Sequence, residues 1–295
     1  MVWEPWLGER SQFTYSGQQL DDHLQAHVNV ANGNLVLHQQ AEQIRGTGLN
    51  LVADAVFNDQ SDVTYGLGYR WNLSTGYDVS LHVYYDGSVS LYGPSGYEVP
   101  FFINPDGSFT SPSGLDASLV KNGDSTYTLT FHASGEQWKF NSSGYFTSDV
   151  DKNGNTISFA YNGSNQLTSI TDTQGRVTTV TWNGSSISQL TDSSGRTYKW
   201  TSSGGKVTKY TDPNNKSTSY GYDTSGNQNL NQITDPNGTV TKLVYDMSTA
   251  GDVHHLRLRQ QRGRDVGLQP TTPATPWSRT PTTTPPPTTT MCMAG

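Results

Sequence analysis

Carboxylates are the first place to look for chemistry in this chain, because five aspartates recur at near-equal intervals: Asp151, Asp172, Asp192, Asp212 and Asp235. Two carboxylates facing one another across a cleft could serve as acid and base in glycoside cleavage. Each of these residues, however, opens a short polar stretch: Asp151-Lys-Asn-Gly154, Asp172-Thr-Gln-Gly175, Asp192-Ser-Ser-Gly195, Asp212-Pro-Asn-Asn215 and Asp235-Pro-Asn-Gly238. An Asp that accepts a backbone N–H, followed at i+3 by a residue tolerating positive φ, makes a tight turn, and proline at i+1 suits it. Turn formation therefore explains the spacing without acid–base work. The remaining candidates are weaker. Asp149-Val-Asp-Lys-Asn-Gly154 opens like a calcium loop, but Ala160 stands where a bidentate Glu is needed. His23 and His27 would share one face of a helix, with no third ligand at suitable spacing. Gly46/Gly48 and Gly66/Gly68 lack the third glycine and the following helix of a phosphate loop. There is no Gly-x-Ser-x-Gly elbow, and the one cysteine, Cys292, has no implied His partner. No catalytic set, cofactor motif or metal motif is legible.

The elements that carry these turns form a repeat. The aspartates lie 21, 20, 20 and 23 residues apart, and an aromatic follows each: Tyr161, Trp182, Trp200, Tyr222 and Tyr245. Four of those aromatics come 10 residues after the Asp, and Trp200 comes after 8. Two positions earlier stand Phe159, Val180, Tyr198, Tyr220 and Leu243, an alternation that predicts strands. Before the Asp, the pairs Leu167/Ile170, Ile187/Leu190, Val207/Tyr210 and Leu230/Ile233 lie three apart, which predicts a bulge or a strand end. Each unit reads as two short strands and two turns. A single unit cannot bury its apolar face, whereas stacked units can.

Aromatic-Asp-x-x-Gly words alternating with Thr-Asp-Pro-x-Gly words on this period resemble the Rhs/YD-repeat family. Tyr222-Asp-Thr-Ser-Gly226-Asn227 and Ile233-Thr-Asp-Pro-Asn-Gly238 match most closely, while Asn162, Asn183 and Thr201 depart from the Asp that follows the aromatic. Gly66-Leu-Gly-Tyr-Arg-Trp71 is similar to the module that precedes the repeats in that family. The resemblance implies a spiralling, YD-shell-like sheet, incomplete here. It also implies a structural wall that encloses a C-terminal toxin or effector in full-length relatives, and a secreted or cell-surface setting.

Composition fits such a wall. Hydrophobic residues make up 32% of 295, with 30 Gly and 16 Tyr, which is thin for a single large core and suits many short strands and turns. Residues 251–295 hold five Arg against Asp252 and Asp265, leaving 13 basic and 23 acidic groups in residues 1–250. That acidic body disfavours nucleic acid, whose phosphates need clustered Lys and Arg. No apolar run is long enough for a membrane helix, and the Met1-Val-Trp-Glu-Pro-Trp6 start has no signal-peptide pattern.

The expected layout is all-β. Residues 1–75 form an N-terminal module, irregular over its first 28 residues and carrying a hairpin around Asn32-Gly33. Residues 76–146 form a degenerate hairpin ladder, with the repeats at 147–246. The tail, 247–295, is expected to be disordered, Arg-rich and then Thr/Pro-rich. Degenerate codons also allow Leu256–Arg264 and Thr288–Gly295 to encode repeat words in shifted frames, so the tail reads as a frame-slipped stretch. The functional expectation is a non-catalytic scaffold fragment whose partners are further repeats and an effector. The alternative is a glycan-binding surface, with Tyr161, Trp182, Trp200 and Tyr222 as stacking residues for cell-wall or surface sugars. A glycoside-acting enzyme is the remote alternative.

Overall fold

The computed structural model describes residues 7–224 and 228–247, and the backbone of Val253–Gln261. Strands occupy 54% of the chain, and the one helical element among the described residues is a 3-10 turn at Gly76–Asp78. The chain divides into two compact units, residues 1–219 and 220–295.

The first unit opens with a five-stranded antiparallel sheet: Tyr15–Asp21 (β1), Leu24–Asn29 (β2), Leu35–Ile44 (β3), Leu51–Asn58 (β4) and Trp71–Leu73 (β5), hydrogen-bonded in that order. Here the expected irregularity of residues 1–28 is corrected. Leu24, Ala26 and Val28 alternate into the core and are at most 2% exposed, a short period-two signal hidden among polar neighbours. The same strand corrects the helical pairing of His23 and His27, since His27 lies in β2 and His23 precedes it in a turn. The core of this sheet is Leu24, Leu35, Leu37 and Leu51, with Phe57 tilted against Trp71 at 5.2 Å.

The 76–146 ladder is also not one array. Ser80–Val83 (β6), Val89–Tyr92 (β7), Glu98–Ile103 (β8) and Phe109–Thr110 (β9) make a separate four-stranded sheet. Ala117–Lys121 (β10), Tyr127–Phe131 (β11) and Gln137–Phe140 (β12) pair in sequence and lead into the repeats. The repeat strands of the first unit are Phe146–Val150 (β13), Thr156–Tyr161 (β14), Leu167–Thr171 (β15), Val177–Asn183 (β16), Ser186–Thr191 (β17), Thr197–Ser203 (β18), Lys206–Thr211 (β19) and the start of Ser217–Tyr222 (β20). Each pairs antiparallel with the next. The second unit contains the end of β20, Leu230–Thr234 (β21), Val240–Met247 (β22) and Val253–Gln261 (β23). The expected disorder of 247–295 is corrected over β23, which pairs with β22 in the register Lys242↔Arg259, Tyr245↔Leu256. The rest of the frame-slip reading, and Ser225–Asn227 of the closest repeat word, lie outside the described residues.

The three-residue apolar spacing is a bulge. Ala160 pairs with Ser169 but Tyr161 with Leu167, so Thr168 is the extra residue. Thr147, Ser188 and Thr208 are extra at the equivalent steps. Each bulged residue donates its hydroxyl to a carbonyl on the preceding strand: Thr147 to Lys139 and Thr168 to Ala160 at 3.0 Å, Ser188 to Thr181 at 3.2 Å and Thr208 to Thr201 at 3.1 Å. The hydroxyl gives the unpaired step a partner, and the bulge turns both pair members to the same face. Thr168→Val and Ser188→Ala are each expected to lower stability by about 0.5–1 kcal/mol in urea titrations, and the double variant by their sum.

One face of the repeat sheet is covered by the chain's own N-terminal module. Ile187 N–H donates to Gly66 O (2.7 Å), Tyr69 N–H to Gly205 O (2.8 Å) and Thr47 N–H to Thr173 Oγ1 (2.8 Å). The glycines that resembled no phosphate loop mark these approaches. Gly68 adopts φ +142°, and a Cβ there would lie 2.7 Å from Gly205 O. Gly76, at φ +66°, has Leu167 Cδ2 2.6 Å from where its Cβ would be. A buried Glu42 on β3 completes the join by accepting from Thr178 Oγ1 at 2.6 Å.

Candidate functional site

The repeat is the unit from which any site here must be built. In each copy the Asp Oδ1 accepts the backbone N–H groups of residues i+2 and i+4: Asp172 those of Gln174 and Arg176 at 2.9 Å, with the same pattern at Asp151, Asp192, Asp212 and Asp235. Gly154, Gly175, Gly195, Asn215 and Gly238 take positive φ at the fourth position. Arg176 and Arg196 fold back onto Asp172 and Asp192 at 2.6 Å. Burial would raise the Asp172 carboxyl, but the N–H groups of Arg176 and Gln174 and the Arg176 side chain outweigh it and hold it below the usual range. Asp192 is lowered by similar contacts against the same effect of burial. These carboxylates turn inward on their own loops.

Four positions of each unit line the buried face. Counted from the Asp, they are −5 (Phe146, Leu167, Ile187, Val207, Leu230), −2 (Ile170, Leu190, Tyr210, Ile233 in the last four units), +6 (Ile157, Thr178, Tyr198, Thr218, Thr241) and +8 (Phe159, Val180, Trp200, Tyr220, Leu243). The aromatic at +10 is half-buried at Tyr161, Trp182, Tyr222 and Tyr245. Tyr161 donates its hydroxyl to Phe146 O (2.8 Å), Trp182 its indole N–H to Leu167 O (2.7 Å) and Tyr245 its hydroxyl to Leu230 O (2.7 Å). The acceptor is each time the −5 residue, so the aromatic rivets the two strands flanking its turn. Trp200 is not part of this row. It sits at +8, equivalent to Val180, is 4% exposed, and its indole N–H has no hydrogen-bond partner. A stacking role for Trp200 is thereby corrected, because a ring sealed in the core offers sugars no face. Trp182 is met edge-on by Tyr77 at 4.9 Å.

The first repeat breaks the pattern in a way the sequence shows once the bulge is known. Its −2 position, apolar in the later units, is Asp149. Asp149 pairs across with Trp138 and Ile157 and borders a cleft of about 820 Å³. Phe146, Phe159, Trp138, Leu51 and Tyr97 supply its apolar wall, and Glu9, Asp54 and Glu136 add carboxylates. Burial first, then the neighbouring Glu136, pushes the Asp149 carboxyl up, and its Oδ1 is enclosed without a partner. Trp138 Nε1 donates to Glu136 at 2.7 Å, which orients that carboxyl toward Asp149. The two carboxyl groups stand over an aromatic floor.

A family model matches part of the chain. Residues 202–240 match the family model described as RHS Repeat, covering the Asp212 and Asp235 turns and everything between them. No curated protein matches the chain.

Proposed function

We propose, with the RHS repeat at residues 202–240 as premise, that this chain is a piece of wall from an RHS-type shell. In this reading the N-terminal module lines the inside of that wall, and further repeats and a C-terminal effector complete the natural assembly. The match supports a structural role for the array. The observation that carries the finer reading is the buried, largely apolar face that the −5, −2, +6 and +8 positions of successive repeats form within the first unit. Such a face needs neighbours and a cover, and makes no demand for a catalytic centre. A secreted or surface setting belongs to the same proposal. No helix among the described residues is long and apolar enough to cross a membrane.

The test is to read the coding DNA in all three frames and to image the frame-restored protein by electron microscopy. More Asp-x-x-Gly units on a period near 20 and a hollow particle are expected. A solid rod, or codons incompatible with repeat words, would overturn the reading. The glycan alternative predicts binding on a broad glycan array that is lost in Trp182→Ala. The engaged indole N–H of Trp182 leads us to expect a silent array.

A further inference from the structure

A cluster outside the repeats has the composition of a metal site. His27 and His38 stand on adjacent strands β2 and β3, in the register Gln25↔His38 and His27↔Val36, so both side chains leave the same face of a paired sheet. Glu9 reaches them from the segment before β1. Its Oε1 contacts His27 Nδ1, and its Oε2 lies 3.1 Å from His38 Nε2. One ligand atom from each of the three residues lies within 4.8 Å of the others. The two rings are 5.6 Å apart and tilted by 51°, so they are not stacked face to face.

Three details separate this cluster from an ordinary surface ion pair. His38 Nε2 is shielded from solvent and, despite its closeness to Glu9, has no aligned hydrogen bond. In the neutral ring with its proton on Nδ1, this nitrogen can ligate a metal. The three ligand side chains are nevertheless 22–29% exposed, which leaves a path for an ion. A small cavity of about 160 Å³ adjoins them, lined also by Gln25, Gln40 and Asp54. Asp54 is fixed by accepting the Ala41 N–H at 3.1 Å, so a second carboxylate stands close by to hold a metal-bound water.

We propose that Glu9, His27 and His38 bind a divalent transition-metal ion, zinc in the first instance, with a fourth position open to water in the cavity beside Asp54. Two imidazoles and one carboxylate are a donor set that suits Zn²⁺, whose ligands lie at about 2.0–2.2 Å. A tetrahedral ion would seat these three atoms roughly 3.3 Å apart, a separation that small side-chain rotations reach from the present one. Without the ion, one carboxylate serves two imidazoles. Its Oε1 is at His27 Nδ1 and its Oε2 lies 3.1 Å from His38 Nε2. Binding would fasten the segment around Glu9 to the first sheet.

The experiment uses the full chain without an affinity tag, stripped with chelator, in a Cys292→Ser background that removes the chain's one thiol. Calorimetric titration with Zn²⁺ is expected to show one equivalent bound. Co²⁺ is expected to give the intense visible bands of a four-coordinate site. Glu9→Gln and His38→Asn are expected to weaken Zn²⁺ by more than about 100-fold, the upper end of what loss of a mere supporting group costs. His23→Asn, outside the cluster, is expected to leave affinity unchanged. Absence of stoichiometric uptake by the parent chain would overturn the proposal whatever the variants do. So would parental affinity in a His38→Asn protein whose circular dichroism shows it folded.

Discussion

Replacing Gly76 with valine is expected to lower the unfolding free energy by roughly 3–5 kcal/mol, while the same change at Gly154 costs only about 1–2 kcal/mol. Both glycines have positive φ, +66° and +85°, so both variants carry the strain of a left-handed β-branched residue. They differ in surroundings. Nothing lies within 4 Å of a Cβ built at Gly154, whereas at Gly76 that atom would lie 2.6 Å from Leu167 Cδ2 and 3.3 Å from Phe159. Leu167 is fully buried and Phe159 nearly so, and neither can step aside without moving the repeat sheet. The difference between the two variants in urea titrations therefore isolates the packing of the N-terminal module on the repeats. Equal losses would show that this contact contributes nothing to stability.

The second large effect is a fall in stability between pH 5 and pH 8. Burial pushes the Asp78 carboxyl up to about 7, although it accepts N–H groups from Leu73 and Gly66 at 2.7 Å. Burial likewise raises Glu42 to about 7, partly offset by the Thr178 hydroxyl. Asp149 shifts in the same direction. A folded-state pKa above the unfolded value means that the protonated form favours the fold. That stability is fully present below about pH 4 and is lost as pH rises through 7. His27, raised by its bond to Glu9, adds a loss of the same sign. Glu9, lowered to about 2, works the other way, but only in acid well below this window. Glu42 alone accounts for on the order of 2–3 kcal/mol. Glu42→Gln is expected to flatten the profile and to raise the thermal midpoint at pH 8. A parental profile that rises from pH 5 to 8 would contradict the assignment.

Much of the repeat was legible because its signals are local. An Asp and a Gly three apart make their turn with groups inside five residues, and the Leu167/Ile170 spacing announces a bulge from within one strand. What was not legible depends on counting from the right residue. Measured from one aromatic to the next, Trp200 looks like Trp182; measured from the Asp turn, it is the equivalent of Val180, and only the register of β18 against β19 decides. Asp149 drew notice in the sequence only as the opening of a failed calcium loop, and the bulge at Thr147 is what puts it on the buried face. Glu9 and His38 are 29 residues apart and share no motif. Their meeting depends on the pairing of β2 with β3, where the alternation of Leu24, Ala26 and Val28 was diluted by Gln25 and His27.

The cover that the N-terminal module lays over the repeats also sets an order of events during synthesis. Thr47 meets Thr173 across 126 residues, and Glu42 meets Thr178 across 136, and in each case the residue of the module leaves the ribosome before its partner in the repeats. Each repeat thus emerges facing a surface already made, and its own preceding strand is in place to pair with it. Growth can proceed strand by strand from a finished template, with the newest strand always at the growing edge of the sheet.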